Sequence, residues 1–107
     1  MDASRRLRRK DDFENLLRHG SRRSLNGYTF YVARRESGEA RLGLLVSRRH
    51  AARAVVRNGI KRCIREAFRL TQGDLGALDV LVRPPYGAQP SAKMVAQLRA
   101  LLPRLKP

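Results

Sequence analysis

Arg57, Asn58, Lys61, Arg62 and Arg65 fall at spacings that let them act together on one ligand. Guanidinium groups fork onto phosphate oxygens and an ammonium adds a compact charge, so such a set suits phosphates. The set is dense. Arg48, Arg49 and Arg53 precede it and Arg69 follows, with Glu66 the one acid in that stretch. A merely solvated face would interleave glutamates, because like charges at i,i+4 each cost an isolated helix about 0.2–0.5 kcal/mol. The pattern therefore points to a polyanion partner.

Chemistry of other kinds lacks its residues. There is no Gly-rich phosphate loop, no Cys-x-x-Cys and no His-x-x-x-His. His19 and His50 stand in basic surroundings without a nearby carboxylate to orient either as a base. His19 suits a helix C-terminus, and His50 is expected to add to the phosphate-contacting surface. Asp11, Asp12 and Glu14 gather where a helix N-terminus favours carboxylates, which explains them without a metal or an acid–base pair. Cys63 has no partner for a disulfide or metal site and reads as core filler in a reducing compartment.

The whole chain shares the bias. Its 107 residues carry 24 Lys and Arg against 9 Asp and Glu, a formal charge of +15, so nucleic acid is the first candidate partner and an acidic membrane surface the second. Nearly all the cations are arginines, a bias that high genomic GC content also produces. No run is long and apolar enough for a membrane span, and no apolar segment follows the basic N-terminus as a secretory signal requires. A cytoplasmic location is expected. One domain, residues 1–107, is expected, with 1–10 a flexible basic segment.

The elements that must position these residues follow from periodicity. Ala54 to Arg69 reads as one amphipathic helix: at about 100° per residue, Val56, Ile60, Cys63, Ile64, Ala67 and Phe68 share an arc of roughly 140°. Arg53, Arg57, Asn58, Lys61, Arg62, Arg65 and Arg69 are expected on the opposite half. Gly59 adds a mid-helix cost of up to about 1 kcal/mol relative to Ala. A short helix is expected over Asp11–His19, capped by Asp11 and stopped at Gly20. Ser21 to Asn26 reads as irregular or a short edge strand. Tyr28–Arg34 and Arg41–Ser47 alternate as strands, and the short turn between them predicts an antiparallel hairpin. Gln72–Ala77 reads as a loop, Leu78–Arg83 as a strand, and Ser91 caps a helix running to about Leu102. The strand–helix–strand segment from Arg41 to Arg83 could be a parallel crossover. The fold class is α+β, a two-layer sandwich of a small sheet and helices.

Phe13, Tyr28, Phe30 and Tyr31 are candidates for stacking on unpaired bases. Alternation sends Tyr28 and Phe30 to the Leu42/Val46 side, the expected core. Tyr31 remains with Thr29, Gly43, Leu45 and Ser47, small enough neighbours to leave a shallow groove walled by Phe13 and Leu17.

The run Ala54-Val-Val-Arg57-Asn58-Gly59-Ile60-Lys61-Arg62-Cys63-Ile64-Arg65 resembles the signature of the bacterial ribonuclease P protein subunit: Ala, two residues, Arg-Asn-Arg, an aliphatic, Lys-Arg, any residue, an aliphatic and a basic residue. Arg6-Leu7-Arg8-Arg9-Lys10-Asp11-Asp12-Phe13 is similar to that family's opening, and Leu42 to Arg49 to its strand before the basic helix. The resemblance spans about residues 5 to 104. Gly59 stands where the family has Arg, and Leu17 where many relatives have an aromatic.

The resemblance implies the order αβββαβα, with a mixed sheet and a left-handed βαβ crossover of the type in the second domain of ribosomal protein S5. It implies a protein that cuts nothing alone but assists a catalytic RNA, with magnesium serving the RNA and no cofactor on the protein. The implied partners are the ribonuclease P RNA and the 5′ leader of precursor tRNA, with no membrane and no DNA. Arg48, Arg49, Arg53, Arg57, Asn58, Lys61, Arg62 and Arg65 become the expected RNA-binding set, and Phe13, Leu17, Tyr31 and Ser47 the expected leader cleft. A general RNA-binding protein and a self-sufficient nuclease are the rival readings.

Overall fold

A computed structural model describes residues 6–7 and 10–106. The order is α1 (Lys10–His19), β1 (Ser21–Leu25), β2 (Tyr28–Arg34), β3 (Arg41–Leu44), α2 (Ala54–Leu75), β4 (Leu78–Arg83) and α3 (Ala92–Leu101), followed by a 3-10 turn at Leu102–Leu105. This is the αβββαβα order that the resemblance implied.

The strands lie in the order β1-β2-β4-β3, with β4 antiparallel to β2 and parallel to β3. The expected hairpin of β2 with β3 is therefore wrong, because β4 inserts between them. In β4, Leu78, Asp79, Val80, Leu81 and Val82 are all buried, and a strand buried on both faces belongs inside a sheet. The true hairpin joins β1 to β2. Leu25 pairs with Tyr28 across the two-residue loop Asn26-Gly27, whose φ angles of 51° and 85° suit the twist of the strands. That Asn-Gly signal was in the sequence and outweighs the longer turn at Glu36–Glu39. β3 stops at Leu44 rather than Ser47, although the Leu45 amide still donates to Val82 O at 2.8 Å.

The main core lies between one sheet face and the helices α2 and α3. Tyr28, Phe30, Val32, Leu42, Val80 and Val82 meet Ile60, Ile64, Ala67 and Phe68 of α2, and Met94, Leu98 and Leu101 of α3. Each large side chain fully buried there contributes about 1.5–3 kcal/mol. The same register carries α2 beyond Arg69. Thr71 and Leu75 are buried, Thr71 Oγ1 donates to Ala67 O at 2.9 Å, and the helix stops at Gly76 with φ 67°. The expected loop at Gln72–Ala77 is thus mostly helix, since burying Leu75 outweighs the propensity cost of the exposed Gly73. Ser91 caps α3, its Oγ accepting from the Met94 amide at 3.1 Å.

The opposite face carries a smaller cluster. Leu7, Leu16 and Leu81 are buried, with Phe13, Tyr31, Ala33 and Leu45 packed against them, so α1 lies across this face. Helix α1 begins at Lys10, which puts Asp11 in the first turn rather than at the cap. The Leu7 amide donates to Leu42 O at 2.9 Å, and Arg6 bridges Leu42. At these two positions the expectation of a flexible segment is corrected; the rest of it, Lys10 apart, lies outside the described residues.

One charge is enclosed within the sheet. Asp79 accepts from Arg41 Nε and Nη2 at 2.8 and 2.7 Å and pairs with Arg35 Nε at 3.0 Å. The Asp79 hydrogen bond raises the Arg41 pKa above its ordinary value. Removing the carboxylate strands two partly buried guanidinium groups. Asp79→Ala is expected to lower stability by about 2–4 kcal/mol in urea unfolding; a loss within error would show that the trio does not hold the sheet.

Candidate nucleic-acid interface

Helix α2 presents its cations as a stripe. Asn58, Arg62, Arg65 and Arg69 recur at i+3, i+4 and i+7 spacing on the side away from Ile60 and Ile64, and Lys61 lies at the margin of the buried face. Asn58 and Arg62 are exposed, while Lys61 and Arg65 are half-buried with their stems along the helix. Arg69 is the exception, tied to Glu66 at 2.6 Å. Burial and the nearby Arg6 both lower the Arg65 pKa. The two cations line one pocket and repel each other, a repulsion that an anion would relieve.

Arg57 departs from the expected arrangement. Three and seven residues before Ile60 and Ile64, it lies over the core side of the helix rather than opposite it. Its Nη1 donates to Ala51 O at 3.1 Å and Ala52 O at 2.8 Å, fastening the linker onto the helix. Arg53 is the N-cap residue but makes no capping bond with its side chain, and it stays exposed with Arg48 and Arg49.

His50 is also corrected. It is buried, not part of the cationic surface. Its Nδ1 accepts from the Ser47 amide at 3.0 Å, and its own amide donates to Ser47 O at 3.0 Å. This closes a tight turn that turns Arg48 and Arg49 outward. Burial and the Arg83 charge lower the His50 pKa, which keeps the imidazole in the neutral form that can accept that bond.

The residues expected to form a leader cleft come from three elements. Tyr31 and Phe13 are half-buried in the cluster beneath α1, and Leu17 is 45% exposed on the same helix. Phe13 reaches the sheet because Gly43 has no side chain: a Cβ there would lie 3.2 Å from Phe13 Cζ and 2.8 Å from Leu81 Cδ1. Ser47 stands outside that cluster, exposed past the end of β3. Tyr28 and Phe30 are buried in the main core and stack on each other at 6.1 Å.

The two surfaces meet at the outer edge of β3, where Arg6 and Leu7 pair with it. Arg6, Leu7, Phe13, Gly43, Lys61 and Arg65 are among the residues lining one pocket of about 280 Å3. Arg6 was not among the expected site residues, and its place beside Lys61 and Arg65 depends on a bridge to β3 that local sequence does not signal. Among the described residues, no three His, Cys, Asp or Glu side chains come together as a metal site, and no helix is long and apolar enough to cross a membrane.

Gly59 has a packing reason. A Cβ at this position would lie 2.8 and 2.9 Å from Cγ and Cβ of Pro90, in the segment leading into α3. The pyrrolidine ring cannot swing aside, so the segment rests on α2 where the resembled signature has Arg.

Known proteins share this sequence pattern and this fold. The sequence model of the Ribonuclease P family matches residues 1–106. The ribonuclease P protein component of Chromobacterium violaceum is 40% identical over 104 residues, covering 94% of this chain and 84% of the relative. That of Thioalkalivibrio sulfidiphilus is 36% identical over 102 residues, covering 94% and 85%. Among solved structures, the Staphylococcus aureus RNase P protein superposes with a TM-score of 0.81 at 28% identity, covering 95% of each chain. The Thermotoga maritima RNase P protein gives 0.72 at 25% identity, covering 95% of this chain and 98% of that one.

Gly59→Ala should lower stability by about 1–2 kcal/mol, because overpacking against Pro90 exceeds the propensity gain. In a Pro90→Ala background most of that loss should vanish, read as non-additivity in urea unfolding. An equal loss in both backgrounds would remove Pro90 as the reason for the glycine.

Proposed function

This chain belongs to the ribonuclease P protein family, and from that footing we propose that it holds the catalytic RNA with helix α2 and the single-stranded 5′ leader of precursor tRNA with the cleft beneath α1. Family membership itself makes it a component of the tRNA-processing ribonucleoprotein. The observation that best supports the finer reading is the meeting of the two surfaces at β3, where Phe13 from the cleft and Lys61 and Arg65 from the helix line one pocket with Arg6. A strand of RNA leaving the cleft would pass directly onto cations.

In this reading the protein performs no bond-breaking step. Phosphodiester hydrolysis belongs to the RNA, with magnesium bound there. The protein neutralises phosphates brought close by assembly and holds the leader by stacking and phosphate contacts, both tolerant of sequence. Asn58, Lys61, Arg62 and Arg65, with Arg48, Arg49 and Arg53 from the linker, carry the phosphate contacts. Arg57 supports them by fixing the linker through Ala51 and Ala52. Phe13, Leu17 and Tyr31 line the leader path, and Ser47 stands at its exit. The reading places the complex in the cytoplasm with its tRNA precursors.

The test is reconstitution at low magnesium. Precursor tRNA should be cleaved when the protein and a ribonuclease P RNA are both present, and by neither alone. Lys61→Ala with Arg65→Ala should weaken RNA assembly at least tenfold, and more at low salt, while urea unfolding stays unchanged or improves through relief of the Arg6–Arg65 repulsion. Cleavage by the protein alone would make it a nuclease. No effect of the protein on cleavage would leave a general RNA binder.

A further inference from the structure

Tyr86 is the one aromatic among the exposed large hydrophobic side chains of the described residues, at 67% exposure. It is nonetheless held in place. One ring face lies on the buried His50 imidazole, with centroids 5.1 Å apart and planes 13° from parallel. Its loop is tied to the same residue, the Gly87 amide donating to His50 O at 3.2 Å, and the Ala88 amide turns back to Pro85 O at 3.3 Å. His50 is in turn fixed by the Ser47 amide. A ring serving only to cover His50 would gain most by burying both of its faces. This one keeps its outer side in water at the end of a rigid chain of contacts, an arrangement that removes the ordering cost of stacking a ligand.

The surroundings specify the ligand class. Ser47, Arg49, His50, Arg83 and Tyr86 line one depression, together with Leu45 from the cluster beneath α1. Arg83 donates to Thr29 Oγ1 at 3.2 Å, which holds it at the sheet end on the Tyr31 face. Two guanidinium groups beside a flat, solvated ring match one nucleotide, its base on the ring and its phosphate on the arginines. Leu45 borders both the depression and the cluster beneath α1.

We infer that Tyr86, backed by His50 and flanked by Arg49 and Arg83, is a stacking subsite for one further nucleotide of the precursor tRNA leader beyond the α1 cleft. The inference rests on the leader-cleft reading above and extends it to a residue of the Pro-Pro-Tyr-Gly loop.

The complex reconstituted from the full chain and a ribonuclease P RNA is titrated with precursor tRNAs bearing long and short leaders. Tyr86→Ala should weaken binding of the long-leader precursor about tenfold, the worth of one stacked base. Short-leader binding and affinity for the RNA subunit should not change, and Tyr86→Phe should bind like the unsubstituted chain. Unchanged long-leader affinity in Tyr86→Ala would overturn the inference, as would an equal loss with both leaders. A loss confined to assembly with the RNA subunit would overturn it too, by giving the ring to that RNA. The two readings fail separately. If the unsubstituted chain prefers the long leader and Tyr86→Ala keeps that preference, the cleft stands and the subsite falls. If the unsubstituted chain shows no preference, both fall.

Discussion

Strand β4 must be covered on both faces, and the rest of the molecule is arranged around that requirement. Val80 and Val82 are wholly buried against α2 and α3, and Leu81 is wholly buried on the other side. Covering Leu81 takes α1 and Leu7, because the sheet has no second layer there. A ten-residue helix laid on a small cluster cannot seal that face. The partly buried rings of Phe13 and Tyr31 are left at its margin, and they form the cleft. Burial of the central strand thus generates the proposed binding surface on the face it leaves incompletely covered.

The cations follow a complementary logic. With a formal charge of +15, the fold cannot neutralise itself, and its carboxylates serve local ends. Asp79 joins Arg35 and Arg41 within the sheet, and Glu66 takes Arg69. Lys61, Arg65 and Arg6 are left facing one pocket, held near each other by elements whose stability comes from the core behind them. The cost of keeping like charges together is met by apolar burial, and a phosphate chain recovers it on binding. Even Gly59 obeys the core first, making room for Pro90 rather than adding another cation to the stripe.

How much of this was legible in the sequence differs by the range of the interactions involved. Periodicity alone located α2 as far as Arg69, its buried residues Ile60, Ile64, Ala67 and Phe68, and the strand faces, since those depend on neighbours within one element. The Tyr31 side of the sheet was likewise readable as the groove side by alternation. The pairing of β2 with β4 was not, because it depends on β4 needing two covered faces, and the turn at Glu36–Glu39 competes in the sequence with the Asn26-Gly27 hairpin signal. Arg57 was misplaced because charge suggested solvent, whereas its position over Ile60 and Ile64 at the end of the helix turns it back to the Ala51 and Ala52 carbonyls. Arg6 and Tyr86 required tertiary structure, one through its bridge to Leu42 and the other through its stack on His50.

In the proposed function, two faces of one small domain hold two different RNAs. The most direct measurement is site-specific photocrosslinking in the reconstituted complex with precursor tRNA. A photoreactive group is carried on a single cysteine at position 17 or at position 62, with Cys63 replaced by Ser. The group at position 17, on the exposed edge of α1, should crosslink to the tRNA leader. The group at position 62, on the α2 stripe, should crosslink to the ribonuclease P RNA. Crosslinking of both positions to the same RNA, or of position 17 to the RNA subunit alone, would contradict the account.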